Sequence, residues 1–169
     1  MRTTATTARL VGGLTLSLLL LAACGSGDGS SSTGSGSNPT VSTGQAGSNT
    51  VLVDSTGRTL YFTDQDSGGS IACVDACAGI WTALTVPAGT TPTAAPDVPG
   101  RLGTMTRPDG ATQVTYDGKP LYRFTLDQQA GAVSGNGVTD NFGTTEFTWH
   151  AVFTQGGGTD MGSPPAYRY

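Results

Sequence analysis

The sequence predicts an all-β protein: small antiparallel sheets built from two related β-repeats, preceded by a cleaved signal peptide and a disordered linker. Three observations carry this expectation. From about Thr50 onward no stretch keeps a convincing 3.6-residue apolar period. Short runs of β-branched and aromatic residues are instead punctuated by glycine, proline and aspartate, the pattern of strands and tight turns. Finally, one motif occurs twice. Leu60-Tyr61-Phe62-Thr63-Asp64-Gln65-Asp66 follows the turn Gly57-Arg58-Thr59, and Leu121-Tyr122-Arg123-Phe124-Thr125-Leu126-Asp127 follows Gly118-Lys119-Pro120. Each copy is succeeded by a tryptophan segment, Trp81-Thr82-Ala83-Leu84 or Trp149-His150-Ala151-Val152. Two rounds of one pattern mark a short repeat protein.

In chain order, residues 1–23 read as an export signal. Arg2 and Arg9 form a basic start, Val11 to Leu20 is apolar but too short to span a bilayer, and Leu21-Ala22-Ala23-Cys24 ends the segment. The Leu-Ala-Ala-Cys sequence resembles the lipobox of bacterial lipoproteins. That resemblance implies a diacylglyceryl thioether on Cys24, usually with an acylated amine, and so two or three chains that anchor stably where one would not. Residues 24–48 are almost entirely Gly, Ser, Thr and Asn, with nothing to bury. A flexible tether of this length reaches about 25–30 Å.

The chain carries 8 basic and 12 acidic residues, and loss of Arg2 and Arg9 takes its formal charge from −4 to −6. An acidic domain with one lysine, Lys119, has no electrostatic footprint for nucleic acid. Anionic headgroups would repel it, so lipid rather than charge would hold it to the membrane.

The folded domain is expected over residues 49–155, with copies at about 50–86 and 101–155. Strands are predicted at 50–54, 59–63, 102–107, 112–116, 121–126 and 149–154. Asp109-Gly110 and Asp117-Gly118 are hairpin signals, because Asp-Gly suits the positive φ of a tight turn. They make 102–126 a three-stranded meander. Pro87 to Gly100 reads as a loop and 156–169 as a flexible Gly/Pro-rich tail. In the second copy, alternation puts Tyr122, Phe124 and Leu126 on one face and Leu121, Arg123 and Thr125 on the other. Thr63 stands where the first copy should carry the equivalent of Phe124, and Phe62 points to the opposite side. Asp66 and Asp127, just past their strands, have turn N–H groups to accept from.

Chemistry-bearing residues are few. Cys73 and Cys77, in Cys-Val-Asp-Ala-Cys, lie within disulfide reach if they occupy one helical turn, and an oxidising compartment would join them. Such a bond would fix the turn that presents Ile80 and Trp81. Alternatively, Cys73, Cys77 and His150, the one histidine, are a thiolate and imidazole set suited to copper(I). Asp64-Gln65-Asp66-Ser67-Gly68-Gly69, with Asp75 at the twelfth position, begins like a calcium loop, but Gly68 stands where a ligand belongs. There is no Gly-x-Ser-x-Gly elbow, no His-Glu-x-x-His and no phosphate loop, and Glu146 is the one glutamate. A Cys77–His150 nucleophile pair would be capped by the neighbouring thiol. The expectation is a protein without catalytic residues, cofactor or metal, binding an envelope protein or a small ligand.

Tyr122-Arg123-Phe124-Thr125-Leu126-Asp127 resembles the Tyr-x-aromatic-x-x-Asp signature of a bacterial lipoprotein family described as a secreted repeat of unknown function. The resemblance takes in the Leu-Tyr before each motif, the segment Cys73–Trp81 and Trp149-His150-Ala151-Val152. Tyr61, Asp66, Trp81, Tyr122, Phe124, Asp127 and Trp149 are then the motif residues. Three features depart from the pattern: Thr63 for an aromatic, Thr82-Ala83 for prolines, and a longer stretch at 141–147. The resemblance implies an exported, lipid-anchored repeat and names no activity.

Overall fold

The computed structural model describes residues 38–66 and 68–155. The signal segment, Cys24, most of the predicted tether and the tail at 156–169 lie outside the described residues. The first copy runs β1 (Val41–Ala46), β2 (Asn49–Asp54), β3 (Tyr61–Thr63), α1 (Ala76–Ile80), β4 (Trp81–Ala83) and β5 (Thr85–Val86). The second runs β6 (Leu102–Thr106), β7 (Thr112–Tyr116), β8 (Lys119–Pro120), β9 (Tyr122–Phe124), β10 (Thr139–Phe142), β11 (Thr145–Ala151) and β12 (Phe153–Gln155).

These strands pair antiparallel in three sheets. A central sheet has the order β10-β11-β3-β9-β4, and it is flanked by β1-β2-β12 and by β5-β7-β6, with β8 also on β7. The copies exchange strands. β4 of the first copy pairs with β9 of the second, β11 of the second pairs with β3 of the first, and β3 meets β9 with Tyr61 opposite Tyr122. Two backbone junctions weld the sheets together. Leu52 N–H donates to Val152, Val152 N–H to Leu60 and Leu60 N–H to Leu52, at 2.8–2.9 Å. Val114, Leu84 and Leu121 repeat the same cycle in the same order. In both cycles the third member comes from the other copy, so neither copy completes its own core.

Two principal clusters lie on opposite faces of the central sheet. One gathers Tyr61, Cys73, Cys77, Trp81, Tyr122, Phe124, Phe147 and Trp149. The other is aliphatic: Val41, Leu52, Leu60, Leu84, Val114, Leu121 and Val152. Strand alternation explains the division, since Tyr61 and Leu60, or Tyr122 and Leu121, are adjacent and must point opposite ways.

The hairpin turns form as the Asp-Gly signals predict. Asp117 (φ 48°) and Gly118 (φ 83°) make a two-residue loop with both φ positive, joining Tyr116 to its partner Lys119. At Arg107-Pro108-Asp109-Gly110, Gly110 alone takes positive φ, and Asp109 folds back on the Ala111 N–H at 3.0 Å.

Three expectations are corrected. The ordered domain starts before residue 49, because β1 lies inside the predicted tether. Its interior, Ser-Thr-Gly-Gln, buries little and gives no apolar alternation; its place is set by a six-residue register with β2. The connection between the copies then covers its outer edge, with Val41 N–H donating to Thr93 and Ala95 N–H to Val41. Second, the meander is β6-β7-β8 only. After two residues of β8 the chain leaves for the central sheet, because Leu121 is used by the junction with Val114 and Leu84. Third, Leu126 is 42% exposed rather than in the core, since the strand ends at Phe124 and the chain turns. Thr63, at the position of Phe124, is buried opposite Trp149 with its hydroxyl donating to the Thr148 carbonyl at 2.9 Å, and Phe62 packs on the opposite side, as the alternation has it.

Candidate functional site

The motif residues meet across the copies. The Tyr61 hydroxyl donates to Asp127 and the Tyr122 hydroxyl to Asp66, each at 2.5 Å. The tyrosine of one copy thus bonds the aspartate of the other, in both directions. Each carboxylate uses its second oxygen as a turn acceptor, Asp66 for the Ala72 N–H (2.7 Å) and Asp127 for the Ser134 N–H (3.0 Å). The turn-accepting role expected of the aspartates holds, and the tyrosine partner is added to it.

Both tyrosines are 0% exposed. Burial first, and then the Asp127 charge, push the Tyr61 phenol far above its ordinary range. Burial and the bond to Asp66 do the same for Tyr122. Both phenols therefore stay protonated and act as donors. Burial also raises the Asp66, Asp127 and Asp140 carboxyls above the ordinary carboxylate range, against the lowering effect of the hydrogen bonds they accept.

These shifts have a signed consequence for stability. A carboxyl whose folded pKa exceeds its unfolded value of about 3.9 holds its proton longer in the folded chain. Its stabilising effect is complete below the unfolded pKa and is lost as pH rises through the folded one. Asp109 works the other way, held low by the Ala111 N–H and Arg107, and its contribution is lost only as pH falls below the ordinary range. The urea midpoint should therefore rise as pH is lowered from neutral toward about 4. Asp66→Asn and Asp127→Asn should flatten that profile. A midpoint that drops over this window in the wild type would contradict the assignment.

Behind the tyrosines lies a stack of four rings. Trp81 and Trp149 are 3.9 Å apart at their centroids with planes 7° from parallel. Phe124 covers Trp81 at 4.3 Å and Phe147 covers Trp149 at 5.9 Å. Tyr61 and Tyr122 meet Trp81 and Trp149 edge-on, at 5.4 and 5.2 Å, a favoured aromatic geometry. Phe147 comes from the β10–β11 hairpin, the longer stretch noted in the sequence. It supplies the outer ring on the side where Thr63 lacks one. The same hairpin supplies Asp140, which accepts the Trp81 indole N–H at 2.7 Å. The Trp149 indole N–H has no partner among the described residues.

Cys73 and Cys77 are joined in a disulfide, with Cα atoms 5.3 Å apart, and both are buried under Trp81. Cys73 precedes α1 rather than sharing its turn, and the chain enters the helix through Asp75 at φ 51°. Buried Arg107 holds this loop: its guanidinium donates to the Cys73 carbonyl (3.0 Å), to Gln113 (2.6 Å) and to Asp109 (3.2 Å). Neither Arg107 nor Gln113 stands out in the sequence, because each sits in an ordinary-looking strand or turn.

His150 does not join the cysteines. It lies between buried Trp149 and Ala151 on β11, so its ring emerges on the opposite face of the sheet. There it stacks on Phe62 (5.2 Å) and pairs with Asp64 at 3.0 Å. Of the calcium-like residues, Asp64 is thus engaged with His150 and Asp66 with Tyr122. No group of three or more metal-ligating side chains occurs among the described residues.

Comparison with known families matches residues 42–85 and 103–152, more than half of the chain, to the family described as a secreted repeat of unknown function. The chain belongs to that family. The matched segments start within β1 and at β6, which are equivalent strands, so the family repeat includes the edge strand that the sequence reading left in the tether. Membership makes this a secreted, extracytoplasmic repeat protein. No curated protein and no solved structure matches the chain. No helix among the described residues is long and apolar enough to cross a membrane.

The copies differ most on the face opposite the ring stack. Position 123 of the second copy is an arginine, paired with Asp54 at 3.3 Å and reaching the Ala83 carbonyl. Its counterpart in the first copy is Phe62, and the counterpart of Asp54 is Tyr116. With no ion pair to close it, this side opens as a groove of about 310 Å³ walled by Phe62, Tyr116, Leu121, Val152 and Phe153, with Lys119 and Asp117 at its mouth. The sequence held one signal for it: Phe62 stands where the second copy carries Arg123, between the shared Leu-Tyr and the shared aspartate.

Proposed function

We propose that this chain is a lipid-anchored extracytoplasmic binding module without catalytic chemistry of its own, in which the Tyr/Asp motif is scaffolding and the groove at Phe62 is the ligand surface. The observation that carries this reading is the contrast between the copies. Their shared residues are buried and bonded to one another, while their unlike residues build a concave apolar site on one side only. Small-molecule sites are typically concave and mostly apolar with a few polar groups, and begin at about 300 Å³. Lipid on Cys24 would hold the domain at the outer face of the membrane, which the Leu-Ala-Ala-Cys sequence supports.

The test uses N-phenyl-1-naphthylamine, a neutral fluorophore that brightens in apolar surroundings. Saturable binding to the wild type is expected, and weaker binding to Phe62→Ala and to Tyr116→Ala, two variants on different walls whose melting curves report folding. Absence of saturable binding, or affinity unchanged in both folded variants, would overturn the groove assignment. For the anchor, Cys24→Ala should move the full-length protein from the membrane to the soluble fraction. Retention at the membrane would reject it.

A further inference from the structure

Resting on that groove reading, we infer that the occupant is a small acidic amphiphile, with a planar apolar body between Phe62 and Tyr116 and its anionic group paired to Lys119. The walls define the body. Phe62, Tyr116 and Phe153 line it with aromatic side chains, beside Leu121 and Val152, a lining that favours a flat apolar guest over a polar chain.

The mouth defines the head. Lys119 Nζ lies 3.8 Å from the Phe62 ring centroid, a cation–π contact that holds the ammonium at the groove. Among the described residues Lys119 makes no ion pair. Asp117, which lines the same groove, accepts the Arg101 backbone N–H at 2.9 Å through one oxygen and makes no ion pair with Lys119. In the other copy the corresponding cation, Arg58, is engaged by the Phe124 and Asp127 carbonyls, and the nearby Arg123 is paired with Asp54. Here no carboxylate among the described residues, Asp117 at the same mouth included, lies within ion-pair distance of the ammonium, and we assign the complementary charge to the ligand. A cationic guest would meet like charge, and a neutral one would leave the ammonium unmatched. The chain's formal charge of −4 makes this one lysine the local exception on an acidic protein.

Two probes isolate the head group. 1-Anilinonaphthalene-8-sulfonate carries the ring frame of N-phenyl-1-naphthylamine plus one sulfonate. On the wild type in low salt the sulfonate should bind about three- to fivefold more tightly, the range of an exposed charge pair. The advantage should shrink with added salt, vanish in Lys119→Gln and return in Lys119→Arg, with each variant's affinity for the neutral probe as its own reference. Equal affinities on the wild type, or an advantage that survives Lys119→Gln, would overturn the acidic-ligand inference and leave the groove standing. Failure of both probes to bind would instead remove the groove, and this inference with it.

Discussion

Replacing Trp81 with alanine is expected to destabilise the domain by about 3–5 kcal/mol, the range for truncating a large buried aromatic. The ring is wholly buried, stacked between Phe124 and Trp149 and met edge-on by Tyr61, so little around it can collapse into the space. Its removal also strands Asp140, which has no other partner for either oxygen among the described residues. Against a typical domain stability of about 5–15 kcal/mol, this approaches loss of the fold. A finer comparison separates packing from hydrogen bonding. Trp81→Phe forfeits the indole bond to Asp140, whereas Trp149→Phe has no such bond to lose. Trp81→Phe should therefore be the worse of the two by about 1.5–3 kcal/mol, the net worth of a hydrogen bond to a charged group. Urea unfolding of the three variants measures this, and equal losses for the two phenylalanine variants would show that the Asp140 bond contributes nothing.

The second large effect is a coupling that runs between the copies. Tyr61→Phe leaves a buried Asp127 oxygen without its donor and should cost about 1.5–3 kcal/mol; Tyr122→Phe should do the same through Asp66. In a double-mutant cycle, Tyr61→Phe and Asp127→Ala should be strongly non-additive, with an interaction energy of about 1–3 kcal/mol. Tyr61→Phe and Asp66→Ala, which belong to one copy of the motif, should add within about 0.5 kcal/mol. The reverse pattern, coupling inside each motif and additivity between them, would mean that the copies are independent units.

That exchange shows where sequence reasoning ran out. Tyrosine and aspartate five residues apart look like partners, and nothing local says otherwise. Their actual partners are 56 and 66 residues away, chosen by the register that sets Tyr61 opposite Tyr122. The edge strand β1 escaped for a related reason. Its two buried ends, Val41 and Ala46, are too sparse to make a pattern, while backbone bonds to β2 and the Thr93–Ala95 stretch hold it, and those leave no trace in side-chain chemistry.

Some features needed only local information. Strand alternation separated Tyr122 and Phe124 from Leu121, and all three side chains are buried, while Arg123 is half-buried and Thr125 exposed. Asp117-Gly118 specified its turn because few residues tolerate two successive positive φ angles. The spacing of Cys73 and Cys77 permitted the disulfide that forms. The tertiary structure alone decided the rest: which copy satisfies which carboxylate, that Phe147 from an inserted hairpin completes the ring stack beside Thr63, that His150 emerges away from the cysteines, and that one side of the repeat pair is left open. Each of these depends on strands far apart in the chain coming into register. Short-range periodicity fixes which way a side chain points, and only sheet pairing fixes what it meets.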